Sequence, residues 1–108
     1  MTAGPVIMGA RDAESHHRLG RELSAKGEFQ KAVDELTEAL KLKPDFPLAL
    51  NARGFAYLRL RDYKRAIADL DEALRLDPRY SNAYRNRAAA RRALGDKAGA
   101  EEDLRTSQ

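Results

Sequence analysis

At 108 residues and 12.1 kDa the chain has room for one domain and no second. Twenty Lys and Arg against seventeen Asp and Glu leave a net charge of +3 in a chain that is 34% charged and 43% hydrophobic, which is a globular composition rather than a disordered one. The absence of Cys excludes disulfide frameworks, thiolate zinc sites and cysteine nucleophiles. Apolar runs such as Val6-Ile7-Met8 fall far short of the roughly 20 residues a membrane helix needs. With neither a signal peptide nor a membrane segment in view, a cytoplasmic setting is the default expectation.

In chain order, Gly4-Pro5-Val6-Ile7-Met8-Gly9 reads as part of a flexible lead over residues 1–12, whose apolar trio either docks in a groove or stays free. Beyond it the chain repeats itself. Pro44 and Pro78 lie 34 residues apart, and at that offset Glu38-Ala39-Leu40-Lys41-Leu42-Lys43-Pro44 becomes Glu72-Ala73-Leu74-Arg75-Leu76-Asp77-Pro78. A third copy follows, since Arg53, Ala56, Leu60, Asp62, Ala66, Asp69 and Leu70 return as Arg87, Ala90, Leu94, Asp96, Ala100, Asp103 and Leu104.

Within each copy the apolar period is helical. Leu50, Gly54, Tyr57 and Leu58 form one stripe, and Ala66, Ile67, Leu70, Ala73 and Leu74 a second. Between the stripes lie Gly27-Glu28, Arg61-Asp62 and Gly95-Asp96, where Gly can end one helix and Asp can cap the next. Each copy is therefore a helical hairpin, with Pro44 and Pro78 stopping its second helix. Ser81 is expected to cap a helix starting near Asn82. Small residues at Gly20, Gly54 and Ala88, and at Ala32, Ala66 and Ala100, mark where paired helices approach most closely. A lone hairpin cannot bury both of its stripes, so the hairpins must stack and share a core.

These residues resemble the tetratricopeptide repeat. The middle copy carries the pattern best, with Leu50, Gly54, Tyr57, Ala66, Leu70, Ala73 and Pro78. The first keeps Leu19-Gly20, Leu23, Ala32, Leu36, Ala39 and Pro44 but has His16 at a usually apolar place, while the third has Arg91 at the usual Tyr. The resemblance implies an all-α, right-handed superhelix of three tetratricopeptide hairpins over residues 13–108, with repeats of about 13–46, 47–80 and 81–108. It implies a binding scaffold without specifying a partner. Arg53 and Arg87 replace a consensus Leu near a packed seam; pairing with Asp69, Asp71 or Asp103 is the expected outcome.

Catalytic chemistry has little to stand on. His16 and His17 are adjacent and diverge around a helix, so they cannot chelate one metal as an i, i+4 pair can. No phosphate-cradling Gly-rich motif follows a strand. Neither enzymatic activity nor a cofactor is expected.

Charge is distributed unevenly. First helices carry Arg18, Arg21, Arg53, Arg59, Arg85, Arg87, Arg91 and Arg92, and second helices carry Asp34, Glu35, Glu38, Asp69, Asp71, Glu72, Glu101, Glu102 and Asp103. In the family first helices line a concave groove, so the resemblance implies a basic groove and an acidic back. The alternative is that adjacent helices of opposite charge simply attract. By register the groove comprises His17, Arg18, Arg21, Ser24, Asn51, Ala52, Phe55, Arg59, Asn82, Arg85, Asn86, Ala89 and Arg92.

Relatives that clamp the acidic carboxy-terminal tails of heat-shock chaperones use Lys and Asn, then Asn, then Lys and Arg. The corresponding positions here are His17 and Arg21, then Ala52, then Asn82 and Asn86, none of which carries the clamp residue type. Arg21, Asn51, Arg85, Asn86 and Arg92 could still bind carboxylates. Phe55 either anchors an apolar side chain of a peptide or packs against a neighbouring first helix. The expected role is thus a non-catalytic scaffold that docks an extended or helical, acidic protein segment. The second reading is self-assembly, through an open terminal face of a homo-oligomer or within a longer array. Nucleic acid is not expected, given the near-balanced charge and the lack of aromatic stacking platforms.

Overall fold

The structure, a computed structural model, describes residues 12–108. Six helices follow in order: α1 (Ala13–Ala25), α2 (Phe29–Leu42), α3 (Pro47–Arg59), α4 (Tyr63–Leu76), α5 (Ser81–Ala93) and α6 (Lys97–Thr106). The described residues contain no strand and no helix long and apolar enough to cross a membrane. Apart from Asp12, which belongs to the start of α1, the expected lead over residues 1–12 lies outside the described residues.

Local chemistry sets the helix starts. The Asp12 carboxylate accepts from the Ser15 amide at 2.8 Å, Asp62 from Arg65 at 3.2 Å and Asp96 from Gly99 at 2.9 Å, so each satisfies an N–H that a helix start would leave unpaired. Pro47 opens α3, where its missing donor costs nothing. Ser81 does not cap α5. The Tyr80 carbonyl already accepts from the amides of Ala83 and Tyr84 at 3.1 and 3.3 Å, so the helix begins one residue earlier and Ser81 is its first residue.

The three turns within hairpins are copies of one another. Glu28, Asp62 and Asp96 donate their amides back to Leu23, Tyr57 and Arg91 at 2.8–2.9 Å, the long hydrogen bond of a Schellman ending. That ending requires a residue with positive φ, supplied by Gly27 at 80°, Gly95 at 90° and, in the middle hairpin, Arg61 at 65°.

Paired helices meet at the small positions. A methyl group on Gly20 would stand 2.6 Å from Leu36 Cγ, and one on Gly54 would stand 2.9 Å from Leu70 Cγ, so both leucines fill space that only glycine leaves open. Leu36, Leu70, Ala32, Ala66 and Ala100 are fully buried. One core cluster gathers Val33, Leu36, Phe46, Ala49 and Ala56, and a second gathers Leu50, Leu70, Leu74, Ala83 and Ala90. Leu40 and Tyr57 pack against both, which makes the core continuous from one hairpin to the next.

Across this apolar seam runs a polar ladder. Arg53 holds Asp69 with two parallel bonds of 2.8 Å and reaches back to Thr37 Oγ1 at 3.1 Å. One repeat later, Arg87 holds Asp103 at 2.7 and 3.0 Å and reaches back to Asp71 at 2.8 Å. Each guanidinium therefore ties its own hairpin's second helix to that of the preceding hairpin. Arg91 adds a 3.0 Å bond to Asp103, whose side chain is 3% exposed. The pairing expected for Arg53 and Arg87 is present, and no buried side-chain polar atom among the described residues lacks a partner. At the corresponding place in α1 stands Leu19, which is 42% exposed. His16, at its usually apolar place, is satisfied by Glu35 at 2.8 Å.

The last hairpin presents no broad apolar face. Arg85, Arg92, Glu101, Glu102 and Arg105 are exposed on it, and Leu94 is its one large exposed apolar side chain among the described residues.

Two stability changes follow. Arg61→Gly removes the left-handed penalty of about 1–2 kcal/mol and returns part of it as chain entropy, so urea unfolding should show a net gain of about 0.5–1 kcal/mol. Arg87→Ala leaves Asp103 buried with Arg91 as its remaining cation and should cost about 3 kcal/mol. Adding Asp103→Ala should recover part of that loss, and strictly additive losses would show that the pair is not coupled.

Candidate functional site

The first helices lie side by side, with α3 touching both α1 and α5. Together they wall a cleft of about 640 Å³ lined by His17, Arg21, Ser24, Ala25, Leu48, Asn51, Ala52, Phe55, Arg59, Tyr80, Asn82 and Asn86. Of the residues expected in a groove, His17, Arg21, Ser24, Asn51, Ala52, Phe55, Arg59, Asn82 and Asn86 are in this lining. Arg18, Arg85, Ala89 and Arg92 are not.

The exclusions have geometric causes. Arg18 follows His17 by one residue, about 100° further around α1; it donates to Ser15 Oγ at 3.2 Å and borders a shallower hollow with Arg21, Glu22 and Ala25. On α5, Arg85, Ala89 and Arg92 form a single exposed stripe at i, i+4 and i+7. Arg85 is directed onto Asn82 Oδ1. Within the lining the cations are Arg21 and Arg59, and Arg85 borders it through its bond to Asn82.

Arg53, Arg87 and Arg91 are engaged by Asp69, Asp71 and Asp103, so part of the charge asymmetry between first and second helices is attraction between neighbours. Arg21 and Arg59 have no carboxylate in ion-pair contact among the described residues.

The same lining carries a chain of amides. Asn86 Nδ2 donates to Asn51 Oδ1 at 3.0 Å, and Asn51 Nδ2 donates to the Tyr80 hydroxyl at 3.2 Å. This links α5, α3 and the loop before α5 into one polar wall, and a phenol that accepts one bond still has its own proton to give. Burial raises the Tyr80 phenol above its ordinary pKa, with the Asn51 bond opposing that rise. Tyr80, Leu48 and Ala25 are the lining residues that register reasoning missed. Tyr80 precedes α5 and so falls outside the periodicity of the first helices. A hint was available in its position two residues after Pro78, where the chain must turn back toward the next first helix.

Phe55 contacts Phe29 edge-on, with centroids 6.2 Å apart, and lines the cleft at the same time. Its packing partner is thus the first residue of α2. At the other side His17 tilts against Phe46 at 5.1 Å, and Lys43 sits 4.4 Å from the same ring. Among the described residues no cluster of three or more His, Asp or Glu is placed to hold a metal ion.

Burial first, and then the Arg21 charge, depresses the His17 pKa. The shift favours the neutral imidazole. Because the unfolded chain binds the proton more readily, this residue's effect on stability is felt as pH falls through the unfolded value of about 6.5, where folding weakens. A proton NMR titration should place the His17 midpoint below about 6.5, and Arg21→Ala should move it upward; a midpoint indifferent to Arg21 would contradict the stated cause.

Comparison with known proteins agrees with this fold. The sequence model of the tetratricopeptide repeat matches residues 17–78 and 52–107. No curated protein matches the sequence. Among solved structures, the second tetratricopeptide domain of Spaghetti (RPAP3), bound to the HSP90 peptide SRMEEVD, is 28% identical with a TM-score of 0.87, covering 93% of each chain. The Sgt2 domain from Aspergillus fumigatus is 30% identical, with a TM-score of 0.85 over 88% of this chain and 63% of that one. The TPR2B domain of yeast Sti1, in its pHsp70 complex, is 32% identical, with a TM-score of 0.85 over 88% of this chain and 76% of that one. Repeat spacing, hairpin geometry and these matches lead to one conclusion: the chain belongs to the tetratricopeptide repeat family.

Proposed function

We propose that the chain is a non-catalytic scaffold that docks an extended or helical acidic segment of a protein partner in the cleft between α1, α3 and α5. The observation that carries this reading is the pair Arg21 and Arg59, two cations in one concave site with no carboxylate in ion-pair contact among the described residues. A concave site whose charge is uncompensated attracts the opposite charge, and the surrounding low-dielectric wall strengthens the attraction. Asn51 and Asn86 add amide hydrogen bonds, and Phe55 adds apolar contact.

Two of the structural relatives carry peptides of heat-shock chaperones, one of them the acidic SRMEEVD, which supports the same class of ligand. The residues doing the recognition differ here, because the positions of the chaperone-tail clamp hold His17, Arg21, Ala52, Asn82 and Asn86. An acidic segment with its own sequence preference is therefore the ligand that fits. Self-assembly through the last hairpin is less well supported, since that surface is mostly charged.

A peptide-library titration tests this, with each peptide free or amidated at its carboxy terminus and each measured at two salt concentrations. Acidic peptides should bind with roughly micromolar affinity, and binding should weaken with salt. Arg21→Ala should weaken it about tenfold, whereas Arg105→Ala, on α6, should leave it nearly unchanged. Absence of binding by any acidic peptide, or indifference to Arg21, would overturn the assignment.

A further inference from the structure

Arg59 is the last residue of α3, and it is exposed. Its guanidinium nonetheless has two aromatic neighbours. Its guanidinium carbon lies 4.8 Å from the centroid of the Phe29 ring and 5.9 Å from that of Phe55, and the two rings meet edge-on at 6.2 Å. Phe29 is fixed in turn, as the first residue of α2, directly after the turn at Gly27. A guanidinium over an aromatic face is stabilised through its π surface, which leaves the N–H groups in its plane available. With no carboxylate in ion-pair contact among the described residues, those donors are unclaimed by an acid.

Building on the cleft reading above, we propose that the Phe29–Phe55–Arg59 cluster is a specificity subsite that accepts the side-chain carboxylate of an Asp or Glu, next to an apolar residue that packs on Phe55. The planar fork of an arginine matches a carboxylate with two parallel hydrogen bonds, and the aromatic platform has already removed much of the side-chain freedom such a bond would otherwise cost. One uncompensated guanidinium fits a monoanion. The subsite thus supplies a selectivity that charge alone does not: the ligand must offer an acid and an apolar group side by side.

The test uses the full chain and two blocked hexapeptides, Ser-Leu-Glu-Glu-Leu-Ser and its twin with Gln for both Glu. Nitrogen-resolved NMR of the Arg59 Nε–Hε group should show a saturable shift with the Glu peptide and little with the Gln twin. The wild type should prefer Glu about tenfold, and Arg59→Gln should bring that ratio to about one. Arg59→Lys keeps the charge but not the planar fork, and Phe29→Leu removes most of the platform; each should lose most of the preference, Arg59→Lys with no change in melting temperature. If Asn51 and Asn86 resonances shift but Arg59 does not, or if Arg59→Lys binds as the wild type does, the subsite is refuted and the cleft reading stands. If the Glu peptide perturbs no cleft resonance, both fall.

Discussion

The structure depends on one recurring contact, a guanidinium on a first helix that holds an aspartate of its own hairpin and reaches back to the hairpin before it. Arg53 does this with Asp69 and Thr37, and Arg87 with Asp103 and Asp71. Apolar burial makes the stack favourable, but apolar contact is non-directional and tolerates sliding. A bidentate pair does not, because its two hydrogen bonds are lost together when the helices shift. The Asp103 carboxylate is almost fully buried and therefore needs its cations wherever the hairpins sit. The bidentate pairs thus fix the two helices of a hairpin against each other, and the single bonds from Arg53 to Thr37 and from Arg87 to Asp71 tie each hairpin to the one before.

The spacing of α1, α3 and α5 creates the cleft and also decides its electrostatics. The arginines of the first helices divide into those engaged inside the fold and those left to solvent, and the cleft contains two of the latter. Formal charge overstates what a ligand would meet, because a paired guanidinium presents little field beyond its own carboxylate. The amide chain from Asn86 through Asn51 to Tyr80 gives the remaining wall direction without charge. A site built this way reads hydrogen-bond pattern and shape along with charge, in keeping with two cations being too few to hold a ligand by attraction alone.

The aromatic side chains serve the fold and the cleft together. Phe46 is buried in the core cluster and also supports His17, while Phe29 packs against the core and also supports Phe55 and Arg59. Anchoring a cleft residue on a core residue pre-organises it, which reduces the ordering cost of binding. It also ties any change at Phe29 or Phe46 to both stability and recognition.

By itself the sequence determined the architecture. The 34-residue offset, the paired helical stripes, the turn residues and the prolines specify three hairpins that must stack, because each of these signals is local and the stacking follows from unburied apolar surface. It also pointed to the partners of Arg53 and Arg87, since register put carboxylates within reach. Tertiary structure alone decided which groove residues share a cleft. Register assigned Arg85 and Arg92 to it, and they lie exposed on α5, Arg85 bonded to the lining residue Asn82. Tyr80 enters from a loop that periodicity does not describe. The stack of Arg59 on Phe29 joins the end of one helix to the start of another 30 residues earlier, a meeting that depends on how two hairpins pack and on no single stretch of chain.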